Sequence, residues 1–122
     1  MPTKCEPPDD GRETVERWSK AMKFTPDLDD RAAVLQLLAS ATRLRMFFVL
    51  DQLGQVCVCD LAEILGVSQS AVSQHLAKFR AYRLVTSRRD AQTLFYSLAK
   101  TPDVKLLRRV ALHGIEPPVI ET

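Results

Sequence analysis

The chain has 122 residues, 46% hydrophobic and 26% charged, with a net charge of +2; this suits one compact domain burying roughly two-thirds of its unfolded surface, and leaves no room for a second. No apolar run reaches 18 residues, and the opening MPTKCEPPDDGRE is polar and proline-rich, which argues against a membrane span or secretory leader and for a cytoplasmic protein with no membrane partner. Three cysteines, Cys5, Cys57 and Cys59, an odd number without a secretion signal, argue against a disulfide framework and leave free thiols for metal or redox chemistry.

Charge changes sign along the chain. Residues 1–30 carry eight acids and five bases, net −3, whereas residues 66–100 carry six bases against Asp90, net +5. The basic segment is a candidate polyanion-facing surface, with an ordinary solvated face as the competing reading.

Residues 1–11, with Pro2, Pro7, Pro8, Asp9, Asp10 and Gly11, read as a flexible arm carrying Cys5, too broken for a helix before Arg12. A helix over 12–22 follows, with Val15, Trp18 and Met22 on one stripe, and Pro26 marks its break. A second helix from near Leu28 has Asp29 and Asp30 at its positive end; Val34, Leu35, Leu37 and Leu38 make it nearly all apolar, a core helix. The segment TRLRMFFVLDQLG predicts a third, with Leu44, Phe47 and Phe48 inward and Gly54 past its end.

Asp60 and Glu63 have capping-box spacing, and Leu61, Ile64 and Leu65 then give a short helix ended by Gly66. After the tight turn Gly66-Val67-Ser68, Ser68 is a good N-cap for a helix over 69–82 that buries Val72, Leu76 and Phe79. Two short helices joined this way are the helix-turn-helix pattern of DNA-binding proteins. The outer face of the second presents Gln69, Ser70, Ser73 and Gln74, which donate and accept hydrogen bonds to base edges, followed by Lys78 and Arg80 for phosphates. His75, one position from the buried stripe, reads as a satisfied packing histidine.

LVTSRR (84–89) and TLFYSL (93–98) are β-branched and aromatic runs around Asp90-Ala91-Gln92, a hairpin wing whose Arg88 and Arg89 suit phosphates or the minor groove. Ala91 supplies none of glycine's freedom for positive φ at that turn. Finally, Thr101 as cap and Pro102 at N1 open a helix to His113; Val104, Leu107 and Ala111 line one face with Leu106 and Val110 beside it, enough apolar surface to predict a homodimer. Two histidines and no nucleophile–base spacing offer little for catalysis, so the small cysteine-dependent enzyme ranks last among the alternatives.

The stretch 41–98, through TRLRMFFVL, CVCDLAEILGVSQSAVSQHL and a wing ending FYSL, resembles the ArsR/SmtB family of metal-responsive repressors. That resemblance implies a mainly α winged helix-turn-helix with a small β-hairpin; the domain itself is read over 12–116, between the arm and a tail at 117–122. It also implies a homodimer joined through its first and last helices, with operator DNA and metal binding mutually antagonistic. CVCDL is similar to the family's thiolate site, which in one branch gains an N-terminal cysteine from the other subunit, the part Cys5 would take. Cysteines two apart can converge on one ion at a helix start, whose positive end favours thiolate. Three thiolates, Cys5, Cys57 and Cys59, suit arsenite or antimonite first, with cadmium, lead or zinc as further inducers. A second family site on the last helix matches at His113 and Glu116, while its earlier pair falls on Lys100 and Pro102. The usual Gly-Arg of the family's wing tip is here Ala91-Gln92. A thiol-redox repressor on the same scaffold is the alternative reading, with oxidation of the cysteines releasing DNA.

Overall fold

The computed structural model describes residues 9–120, with side chains from Gly11 onward. Internal packing divides the chain into two units, residues 1–32 and 33–122. In the first, helix α1 (Asp9–Ala21) starts three residues before Arg12, its exposed face joined by Arg12–Glu16 and Glu13–Arg17 pairs at 3.8 and 3.9 Å. Such i, i+4 pairs add only about 0.2–0.5 kcal/mol each. Helix α2 (Pro26–Leu38) opens on the proline that was expected merely to break the chain; at the first helical position the missing N–H has no partner to lose. Only its last residues, Leu37 and Leu38, are buried, while Leu28 and Leu35 stay exposed. The expectation of a core helix holds for the last turn and for Val34, which packs against the core, and fails for Leu35 and the first half of α2, because an apolar run without periodicity does not say which side meets a core.

The second unit continues through α3 (Ala41–Leu53), β1 (Val56–Cys57), α4 (Val58–Leu65), α5 (Gln69–Ala81), β2 (Val85–Asp90), β3 (Thr93–Leu98) and α6 (Pro102–Ala111). Ser40 caps α3 by accepting from the Arg43 amide, and the Arg43 Nε donates to the Leu37 carbonyl at 2.7 Å, fixing the α2–α3 corner. From α3 the buried residues are Met46, Phe47 and Leu50; Leu44 and Phe48, expected inward, are only half-buried. These three meet Leu61, Val72, Leu76, Phe79, Leu84, Val85 and Val104 in one core.

The wing hairpin forms as expected, but the sheet has three strands in the order β1-β3-β2, all antiparallel. A two-residue strand shows no period in the sequence, so β1 was invisible there. Asp90 pairs with Thr93, leaving Ala91-Gln92 as a two-residue turn, and Ala91 takes φ 57° without glycine's freedom. Thr101 caps α6, its hydroxyl accepting from the Val104 amide at 3.2 Å. The helix stops at Ala111, short of His113 and Glu116. Val104 faces the core and Leu107 packs against it, while Leu106 and Val110 are exposed.

Candidate nucleic-acid interface and thiolate centre

Helices α4 and α5 are joined through Gly66, whose left-handed φ 68° ψ 32° only glycine adopts cheaply and whose N–H closes onto α4 carbonyls. Ser68 then caps α5, accepting from the Ala71 amide at 3.1 Å. With Val72, Leu76 and Phe79 fixed in the core, the opposite side of α5 carries Gln69, Ser70, Ser73, Gln74, Lys78 and Arg80, all exposed. Lys78 and Arg80 lie in the last turn, where the helix dipole favours cations. Arg83, one of the six bases of the basic segment but given no DNA contact from the sequence, is a further exposed cation just past α5 with φ 59°.

Arg88 and Arg89 are exposed on β2. Arg88, however, is not loose: its Nη2 donates to Gln55 Oε1 at 3.0 Å, its Nη1 lies 3.9 Å from Asp90, and its guanidinium sits 5.5 Å from the Phe95 ring centroid. His75 departs from the expected satisfied histidine, since its Nδ1 is buried without a hydrogen-bond partner. Burial, with the Arg43 and Lys78 charges nearby, holds its pKa below the ordinary 6.5.

The α4 helix begins two residues before the expected Asp60. Cys57 occupies the N-cap position in extended backbone, φ −85° ψ 165°, with no side-chain cap bond, and Cys59 is already helical. That change of backbone at the cap turns both side chains to one side, bringing the sulfurs to 3.1 Å. Asp60, expected as a cap, instead receives a long 4.0 Å contact from Cys59. Cys57, Cys59 and Asp60 have their donor atoms within 4.8 Å of one another, the set of metal-donor groups found among the described residues; His113 and Glu116 join no such set, and Cys5 lies outside those residues. The signal for Asp60 was its place directly after Cys59.

The donor chemistry fits a thiophilic ion. Two thiolates on one tetrahedral ion, with metal–sulfur bonds of about 2.3 Å, stand roughly 3.8 Å apart, so the pair needs to open by less than an ångström. Cys57 is buried and Cys59 exposed, which gives the pair an open side. Contrary to the expectation of a thiolate favoured by the helix end, the Cys57 thiol is pushed up, chiefly by its hydrogen bond with Cys59, against a lowering bond from the Asp60 backbone. An ion must therefore displace protons to bind here.

A helix-turn-helix with a polar outer face and an arginine-bearing wing defines a winged-helix DNA-binding protein. The family described as bacterial regulatory protein, arsR family, matches residues 40–87. The nodulation protein NolR of Rhizobium meliloti is 39% identical over 98 residues, 78% of each chain. A transcriptional repressor SmtB homolog of Synechocystis is 36% identical, covering 89% of this chain and 82% of its own. The crystal structure of NolR from Sinorhizobium fredii superposes with a TM-score of 0.64 at 36% identity, over 76% of this chain and 97% of that one. Similar proteins also include arsenic- and cadmium-resistance regulators and an antimony-specific repressor. The chain belongs to the ArsR family of DNA-binding transcriptional regulators; like these relatives it is a regulator and not an enzyme. Among the described residues no single helix is long and apolar enough to cross a membrane.

Proposed function

We propose that this protein is a cytoplasmic repressor that binds duplex operator DNA as a homodimer and releases it when a thiophilic ion is captured by Cys57 and Cys59, with Cys5 of the partner subunit as third thiolate. The observation that carries this reading is the 3.1 Å approach of two sulfurs at the start of α4, the helix packed against α5. Soft sulfur donors select soft ions, and three suit trigonal arsenite or antimonite; cadmium, lead or zinc would take a fourth donor, for which Asp60 is placed. The names of the arsenic, antimony and cadmium regulators among its relatives support the same class of inducer. Gln69, Ser70, Ser73 and Gln74 read bases in this scheme, while Lys78, Arg80, Arg88 and Arg89 hold phosphates. Exposed Leu106 and Val110 on α6, with Val15 and Trp18 on α1, are the apolar faces a second copy would cover. His113 and Glu116, past the end of α6, are left without a role.

The test is sulfur-to-metal charge-transfer absorbance on reduced protein, with DNA release followed in parallel. Arsenite should give absorbance in the wild type and release bound duplex. Full absorbance in the Cys57→Ser, Cys59→Ser double variant would end the proposal, and loss in those positions but not in Cys5→Ser would make Cys5 a bystander. The same short sulfur–sulfur contact favours one second reading, a redox repressor in which a peroxide takes two electrons and two protons from the two thiols and leaves a disulfide; release by ion under strictly reducing conditions decides against it.

A further inference from the structure

The two-residue strand β1 belongs to both halves of the site. Cys57 lies opposite Phe95 on β3, and Phe95 lies opposite Arg88 on β2. Gln55, the residue before β1, accepts the 3.0 Å hydrogen bond from Arg88 Nη2. A single short segment thus touches the thiolate pair at one end and the wing arginine at the other, and Arg88 stacks on the same Phe95 that faces Cys57.

We propose that Gln55 is a positioning residue that couples ion capture at Cys57 and Cys59 to the wing by its grip on Arg88; the inference rests on the thiolate reading above. When an ion takes both sulfurs, the pair must open, and the displacement falls on a strand held by its ladder to β3. Being a short edge strand, β1 is the element of that sheet with the fewest backbone bonds to resist a shift. Movement of β1 carries Gln55 with it and changes where Arg88 is held. The amide of Gln55 suits this task because it fixes the guanidinium without adding to the negative charge that Asp90 already places 3.9 Å from Nη1, so Arg88 keeps attraction for phosphate. A carboxylate at the same place would hold the arginine and neutralise it. The contact is solvent-exposed, so its influence is modest, in the range of about 2- to 30-fold on the coupling between sites.

The experiment uses reduced full-length chain, arsenite as the ion, and as DNA the tightest duplex recovered from a random-sequence pool on that protein. The affinity for DNA is measured by anisotropy with and without saturating arsenite, and arsenite binding by charge-transfer absorbance. In Gln55→Ala the arsenite affinity should stay within about twofold of the wild type, while the factor by which arsenite weakens DNA binding falls by about threefold or more. Gln55→Glu should restore that factor while lowering DNA affinity overall, an outcome a purely structural role would not produce. Adding Gln55→Ala to Arg88→Ala should leave the factor of the single Arg88 variant unchanged, since both act through one contact. Normal arsenite absorbance with an undiminished factor in Gln55→Ala would overturn the coupling and leave the thiolate reading standing. Absence of arsenite absorbance in the wild type would overturn both.

Discussion

Replacing Ser68 by Ala isolates the contribution of one hydroxyl to α5, the helix proposed to read DNA. Its oxygen accepts from the Ala71 amide at 3.1 Å in an exposed setting, while the separate backbone bond from Val72 N to the Ser68 carbonyl survives the change. Loss of such a cap costs about 1 kcal/mol, within a range of roughly 0.5–2. For a domain of this size that lowers Tm by roughly 4 °C. The loss is local to the first turn, which carries Gln69 and Ser70, so fraying there should weaken DNA binding by up to about fivefold, the equivalent of 1 kcal/mol. Ser68→Asp restores the cap and the Tm but adds a negative charge at the proposed DNA face, so its DNA affinity should fall below that of Ser68→Ala. Thermal unfolding by circular dichroism and anisotropy with labelled duplex measure both quantities. If Ser68→Ala matches the wild type in Tm and in affinity, the cap does not hold the reading turn. If Ser68→Asp binds DNA as tightly as wild type, the start of α5 does not face the polyanion.

On α5, Gln74→Ala should lose about 1–3 kcal/mol of discrimination between cognate and altered duplexes, whereas Arg89→Ala should weaken all duplexes alike and reduce the salt slope by about 1; competition assays at several salt concentrations separate the two, and unchanged discrimination removes Gln74 from the reading set. At the wing tip, Ala91→Gly relieves a positive φ of 57° worth about 1–2 kcal/mol in an L residue, offset by about 0.5–1 of glycine entropy. The net expectation is a neutral to slightly raised stability in denaturant titration, and a clear loss would contradict it. His75 has its pKa held below 6.5 by burial and then by the Arg43 and Lys78 charges, so the unfolded chain takes up the proton first. The stability it confers is full above 6.5 and drains as pH falls towards the depressed folded value. Urea titrations at pH 7.5 and 5.5 should show a larger acid loss in wild type than in His75→Gln, and equal losses would refute the assignment.

What the sequence determined by itself is everything written in local chemistry. Ser68 before a stripe of Val72, Leu76 and Phe79, Gly66 after Leu65, and Thr101-Pro102 before Val104 each specify a cap, stop or buried face within one or two turns, and each stands in the structure. The family was likewise legible, because the motif from Thr42 to Leu98 is contiguous. What only the tertiary structure decided depends on partners distant in sequence or on a backbone change without periodicity. The strand at Val56–Cys57 exists because β3 pairs with it, so no pattern within two residues announces it. The same pairing ends the extended backbone at Cys57 and starts α4 at Val58, ahead of Asp60, and that boundary is what turns the two sulfurs together. The grip of Gln55 on Arg88 spans 33 positions and needs both sheet order and register, because the arginine must reach across β3 to the far strand. Leu106, Val110 and Leu35 show the remaining limit: the sequence marks them as apolar, but which apolar residues a core covers and which it leaves exposed is set by how whole helices dock, a geometry no single helix encodes.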